Sequence, residues 1–213
     1  MASQGKIQEG QIWAGEKPLI LASRSEARRA LLSAFGILAE LMPADLDERA
    51  IEAQELSRGA AACALARRLA AAKACAVSAQ ARGRYVLGGD QILTFNDRPL
   101  AKSADLAAAA ERLRLLAGQT HLLVSACAVA RDGTILFEAV ETAELTMRTL
   151  TDAEIKTYLD AAGEEVLASV GAYRIESIGR LLFERVEGDH ATILGLPLTG
   201  LLRYLRSAGL MQL

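Results

Sequence analysis

Aromatic side chains are scarce in this chain. Phe, Tyr and Trp make up 4% of 213 residues, and Trp13 is the single tryptophan. With 52% of the residues hydrophobic, the core must be largely aliphatic, and the weight of Ala and Leu predicts that much of it is helical. A disordered chain is excluded by the same composition. Histidine and cysteine are thin as well: His121 and His190 stand alone, and Cys63, Cys75 and Cys127 include no CxxC pair. Zinc sites need closely spaced Cys and His ligands, so this inventory argues against one, and against a Ser-His-Asp triad. Both histidines read as structural, and the thiols as reduced, buried residues of a cytosolic protein. Neither sign of charge dominates, since 24 Lys+Arg face 26 Asp+Glu for a net −2. Nucleic-acid binders usually carry a basic excess; an extended polyanion is therefore not the expected partner, whereas a small anion needs only one local basic cluster. Residues 1–18 lack a signal-type apolar stretch, and no later run approaches the roughly 20 apolar residues of a membrane span. The expectation is a soluble, cytoplasmic protein with neither nucleic acid nor membrane as partner. GxxxxGK[ST] and a post-strand GxGxxG are missing too, which removes ordinary P-loop and Rossmann nucleotide sites.

The length suits one domain, or two small lobes sharing a core. The polar, Gly-rich residues 1–18 read as an extension outside the fold, leaving a domain over 19–207. Leu19–Ala22 reads as a buried strand, and Ser25 as the cap of a helix over Glu26–Phe35. A strand over Ile37–Met42, an acidic loop Asp45–Glu48 and a long Ala-rich helix from Ser57 to about Gln80 follow. Tyr85–Phe95 is strand-like with a break at Gly88-Gly89-Asp90, and Ser103 is expected to cap a helix running to Ala117. Arg131-Asp132-Gly133 between two β-rich runs is a hairpin signal. Thr151–Glu154 is a capping box. Short strands are expected at Gly171–Ile175 and Leu181–Val186, then a last helix over Leu198–Ser207 with Pro197 in its first turn. Helices and strands interleave with at least one hairpin, so the class is α/β with a mixed sheet.

Two places can carry chemistry. In LILASRSEARR, residues 19–29, a strand stops, two serines follow and a helix begins with arginines in its first turn. Helix N-termini attract anions. Ser23 and Ser25 add hydroxyls, and Arg28 can grip phosphate oxygens in a fork. Arginine opposes the helix dipole there, which points either to a bound anion or to a plain surface salt bridge. In GGDQIL, residues 88–93, an acid sits within an apolar strand, a costly arrangement unless it is paired, catalytic or metal-binding. The paired glycines allow a ligand or another backbone to approach; the competing reading is an Asp that caps a turn.

Taken together, LILASRSEARRALL, DLDE, the helix ending AAAKA, GGDQIL, the AK before a helix, AGQTH, VGAYRIES and EGDHATILGLPL resemble Maf-like proteins, nucleoside triphosphate pyrophosphatases of the ITPase-like superfamily. The likeness runs from about Leu19 to Leu205. It implies an α/β fold with a mixed twisted sheet flanked by helices, two lobes around a central cleft, and a homodimer. It also implies hydrolysis of a nucleoside triphosphate to the monophosphate and pyrophosphate, with a divalent cation, Mg²⁺ or Mn²⁺. Asp90 falls on the family's catalytic proton acceptor. Glu48 matches its loop carboxylate and, with Asp90, is the expected metal ligand. Ser23, Ser25, Arg28, Lys73 and Lys102 match its phosphate side, although the family's S-x-S-P-R-R has Glu26 and Ala27 here and its G-K-P is A-K-S. Gln91 and Glu176 resemble the branch that hydrolyses 7-methyl-GTP, and a Glu carboxylate suits the N1–H and N2–H₂ edge of guanine. Ala27 stands where that branch often carries a Trp able to stack on a methylated base. The alternatives are a pyrophosphatase for dTTP, UTP or triphosphates in general, and a nucleotide-binding regulator of cell division or septum formation with little turnover.

Overall fold

The structure, a computed structural model, describes residues 12–212. The order of elements is β1 (Leu19–Leu21), α1 (Glu26–Ala34), β2 (Ala39–Leu41), α2 (Glu48–Ser57), α3 (Ala62–Gln80), β3 (Val86–Phe95), β4 (Arg98–Leu100), α4 (Leu106–Leu116), β5 (Thr120–Arg131), β6 (Thr134–Met147), α5 (Asp152–Ala162), β7 (Phe183–Glu187), α6 (His190–Ile193) and α7 (Leu198–Ser207). Two 3₁₀ turns, Gly163–Ala168 and Ile178–Leu182, connect α5 to β7.

All seven strands form one mixed sheet in the order β2-β1-β3-β5-β6-β7, with β4 paired to β3 outside that path. β1 runs parallel to both β2 and β3, while β3, β5, β6 and β7 pair antiparallel. The chain leaves β1 for β2 on one side and returns to β3 on the other, so the helices α1 and α3 cover opposite faces. Leu32 of α1 packs with Leu198, Leu201 and Leu205 of α7 against Leu87, Cys127 and Val129. Across the sheet, Leu65, Ala66, Leu69, Ala70 and Ala74 of α3 meet Ile92, Ala126, Ala128 and Ala130. A separate cluster gathers α4 and α5 with Leu123, Leu145, Tyr173 and Phe183.

The scarcity of aromatics is explained at α3. Alanines on both sides bring the helix backbone close to the strands, and a Cβ on Gly88 would lie 2.2 Å from the Ala70 carbonyl oxygen. Gly88 therefore does not break β3, as its residue type predicted; it lets the continuous strand pass under a helix. Asp132 and Gly133, at φ 51° and 80°, make the hairpin turn between β5 and β6 that Asp-Gly signals.

Other expectations are corrected. The helix expected from Ser57 begins at Ala62, because the chain turns at Arg58–Ala61, and the residues before that turn form an unexpected helix, α2, capped by Asp47. α4 is capped by Asp105, whose carboxylate accepts from Ala108 N, and not by Ser103. Gly171–Ile175 is a turn, since Tyr173 folds against Gly171 and Ala172 takes φ 58°. α6, four residues capped by Asp189, was too short to show a period. Cys63 is exposed on the first turn of α3; only Cys127 is buried. The expected extension over 1–18 is drawn in at its end: Trp13 is 4% exposed among Leu19, Leu205 and Leu210, and Ile12 O and Ala14 N pair with the C-terminal strand bridge at Met211. Residues 1–11 of that segment lie outside the described residues. Among the described residues no helix is long and apolar enough to cross a membrane.

Candidate active site

β1 ends at Leu21, opposite Leu87, but β3 continues for eight more residues. Past that end lies a notch between two parallel strands, with α1, which follows β1, on one face and α3, which leads into β3, on the other, the kind of place where open α/β sheets bind ligands. The segments expected to carry chemistry converge there.

The loop after β1 supplies the first group. Ser25 Oγ accepts from Arg28 N at 3.3 Å and caps α1, as its position predicted. Arg28 then turns inward: Nε donates to Gly195 O at 2.7 Å, and Nη1 to Ser23 Oγ at 3.0 Å. The guanidinium lies across Gly89, where a Cβ would stand 3.0 Å from Nε. The competing surface salt bridge does exist, but one residue on, between Arg29 and Glu26. Arg28 is held by neutral oxygens, and its Nη2 makes no hydrogen bond to any described residue. Burial lowers its pKa from the ordinary arginine value, opposed by the charges of Asp90 and Glu48.

The second group faces α3. Asp90, opposite Ala126 on β5, projects to the same side as Gly88. Lys73 Nζ is 2.7 Å from Asp90 Oδ1 and 2.7 Å from Glu48 Oε2, so one ammonium ties a central strand to the first residue of α2. Arg28, Lys73 and Asp90 are each only 8% exposed. The competing reading of Asp90 as a turn cap is overturned, because Asp90 lies within a strand and its partner is a lysine. Burial pushes its carboxyl above the usual aspartate range, against the pull of Lys73 and Arg28. Lys102, in the loop after β4, is exposed along its surface yet near the same cluster. Desolvation, with Arg28 and Lys73 close by, lowers its ammonium pKa.

Sequence reasoning missed Glu52. It stands one helical turn after Glu48, and burial together with the carboxylates of Asp90 and Glu48 raises its pKa. The four-residue spacing is the signal, legible only once the segment is known to be α2.

The three residues expected to read the base are not gathered into this cluster. Ala27 is half-buried on the first turn of α1. Gln91 points to the face opposite Asp90, where Nε2 faces Ser125 Oγ at 3.0 Å, Ile193 O at 2.9 Å and Thr192 O at 3.2 Å. Its amide nitrogen is thus spent on holding α6, as are Ser125 and Glu141, which bond Thr192. Glu176 is exposed, with one oxygen 2.9 Å from Arg174 Nε; Arg174 also pairs with Glu165.

This constellation can hold an anion between Arg28 and Lys102, and can place a basic, buried carboxylate beside it. The family model for Maf-like protein matches residues 18–208. The chain is 52% identical over 202 residues to a nucleoside triphosphate pyrophosphatase of Nitrobacter winogradskyi, covering 95% of this chain and 99% of that one. A protein of the same description in Rhodopseudomonas palustris (strain ATCC BAA-98 / CGA009) is 51% identical over 201 residues, 94% and 98% of the two chains. A 7-methyl-GTP pyrophosphatase of Rhizobium etli is 49% identical over 191 residues, 90% and 96%.

Proposed function

The chain belongs to the Maf-like protein family, and from that premise we propose that it is a nucleoside triphosphate pyrophosphatase, releasing pyrophosphate and a nucleoside monophosphate. The observation that carries the chemistry is the buried Lys73 shared by Asp90 and Glu48 at 2.7 Å each.

Hydrolysis forms one P–O bond from water and breaks the bridge between the α and β phosphates; the water's proton must go to a base. Asp90 is that base. Its carboxyl, raised by burial, is a better proton acceptor than a solvated aspartate, and efficiency rises as the base's pKa nears the working pH. Lys73 fixes the carboxylate's orientation and keeps it ionised. Arg28, with Ser23 and Ser25, holds the phosphates at the N-terminus of α1, and its spare Nη2 donates to the charge that builds on them. Lys102, close to Arg28 and Lys73, supplies a further cation to the phosphates.

Glu48 and Asp90 would hold the divalent cation. Among the described residues no three His, Cys, Asp or Glu side chains come together to cage a metal. Mg²⁺ needs no such cage: it is commonly bound by one or two carboxylates with water and substrate phosphates completing the shell. The two-carboxylate set fits an ion that arrives with the triphosphate, where it offsets phosphate charge.

The finer reading is that the base is a methylated guanine, as in 7-methyl-GTP. It is supported by the likeness to the Rhizobium etli protein and by Glu176, which has an oxygen outside its pair with Arg174. A second reading, broad acceptance of nucleoside triphosphates, is favoured by Gln91, whose amide nitrogen is already engaged by α6, and by Ala27, which offers no ring to stack on. A substrate panel of 7-methyl-GTP, GTP, dTTP and UTP, assayed for pyrophosphate with Mg²⁺ and with Mn²⁺, separates them. A kcat/KM for 7-methyl-GTP at least about tenfold above the others supports the first; equal rates support the second, and no release with any of them sinks the enzyme reading. Action in the cytoplasm as a homodimer remains part of the proposal, and sedimentation of the purified chain tests the latter.

A further inference from the structure

Arg112 of α4 lies on the border of the helix's buried face, beside Ala109, Leu113 and Leu116. Its two terminal nitrogens go to two different loops. Nη1 donates to Val170 O at 2.8 Å, and Nη2 donates to Ala101 O at 3.0 Å. Ala101 precedes Lys102 directly. Val170 opens the turn that runs to Glu176, a turn that keeps Ala172 at φ 58° and stacks Tyr173 onto Gly171. Burial alone lowers the Arg112 pKa from the ordinary arginine value, with no carboxylate contributing. A guanidinium half-withdrawn from water and bonded to carbonyls is a structural fork, not a surface ion pair.

The Lys102 loop has little else to hold it. Among the described residues neither Lys102 nor Ser103 shares a hydrogen bond, and Ser103 Oγ is buried without a partner. We propose that Arg112 is a positioning residue: it fastens the Lys102 loop to the Val170–Glu176 turn, so that the phosphate-side cation and the base-side carboxylate are set by one side chain. The inference rests on the function proposed above for its kinetic consequence, but the clamp itself does not. Lysine cannot replace the fork, because one ammonium cannot span both carbonyls with the same planar geometry.

The test uses Arg112→Met, Arg112→Lys and Lys102→Ala in the full chain. Two readouts come first, without substrate: both Arg112 variants speed backbone hydrogen exchange at Ser169 and Ala172, whose amides donate to Val166 O and Ser169 O, by about tenfold, and speed trypsin cleavage after Lys102 by a similar factor, while exchange in α3 and β3 keeps its rate. Kinetically, Arg112→Met raises KM for the triphosphate roughly tenfold with kcat changed far less, and Arg112→Lys does the same. In the Lys102→Ala background Arg112→Met adds less than about twofold, because the two act through one loop. Unchanged exchange at Ser169 and Ala172, or unchanged cleavage after Lys102, overturns the clamp. An unchanged KM, or a full multiplicative penalty on top of Lys102→Ala, overturns the positioning role. A wild-type chain that releases no pyrophosphate defeats the functional reading instead, and leaves the exchange result to decide the clamp.

Discussion

Among the described residues two clusters of titratable side chains are buried, and they are opposites. At the end of β1, Arg28, Lys73 and Asp90 are buried as charges, each answered by an opposite charge or a polar oxygen. In the cluster around α4 and α5, His121 is 2% exposed, with Nε2 2.7 Å from Tyr173 Oη and Nδ1 buried without a partner. Tyr173 and Phe183 surround it, and burial pushes its pKa down to about 4. The first cluster reaches the surface through Glu48, whose side chain is 44% exposed, and through Lys102, so an ion from solvent can join it. The second is closed and neutral. Burial of an ionisable group is thus no sign of function by itself; charge kept ionised beside an open notch is.

The largest effect expected is the loss of the reaction's base. Asp90→Asn removes the proton acceptor and keeps the volume, so pyrophosphate release falls by about 10²–10⁴-fold, the usual worth of a general base. The melting temperature stays near the parent's, since burial opposes the charged form anyway. Turnover within a factor of about three would erase the difference between the two clusters.

Gly88→Ala tests the same region through packing. The added Cβ would stand 2.2 Å from Ala70 O and 2.7 Å from Ala74 N, backbone atoms that yield only if α3 shifts. A cost of roughly 3 kcal/mol is expected in urea unfolding, with activity lost as well, because Lys73 rides on that helix.

The closed cluster predicts acid sensitivity. His121 has a reference pKa of 6.5 and a folded value of about 4. Above pH 6.5 it is neutral in both states and costs nothing. As pH falls from 6.5 towards 4 the unfolded chain takes a proton that the folded chain refuses, so stability is lost, by roughly 3 kcal/mol in all. His121→Phe should flatten that part of the stability–pH curve. If the parent's curve is already flat there, His121 is solvated and the contrast fails.

How much of this could be read in the sequence divides along the same line. Ser25, Arg28 and Asp90 were legible, because caps, misplaced charge and an acid in an apolar strand are local rules with local physics. So were the α/β class, the Asp-Gly hairpin and the Thr151–Glu154 capping box. α2 was not, since Glu48–Ser57 buries no residue and shows no apolar period. The paired glycines were half legible: the close approach of another backbone was expected and Gly88 provides it, but not which segment would come. Gly88 makes room for a helix and Gly89 for Arg28, contacts between parts of the chain far apart in sequence. The carbonyls of Gly195, Val170 and Ala101 are invisible to any motif, because a backbone acceptor leaves no trace in residue type.

Glu176→Gln carries the smallest expected effect and bears on base choice. Glu176 is exposed and shares Arg174 with Glu165, so the substitution removes one surface ion pair, worth about 0–1 kcal/mol, and the melting temperature should not move. A carboxylate accepts from both guanine donors, whereas an amide puts a donor of its own against one of them. Preference for guanine-type substrates over UTP should therefore fall by about fivefold, the worth of one hydrogen bond in a wet site, while kcat for UTP stays unchanged. Unaltered ratios would mean that Glu176 serves only Arg174. Base choice would then rest with the turn that Arg112 holds, and the contrast would become one between a charged site that does the chemistry and a loop whose shape alone admits the base.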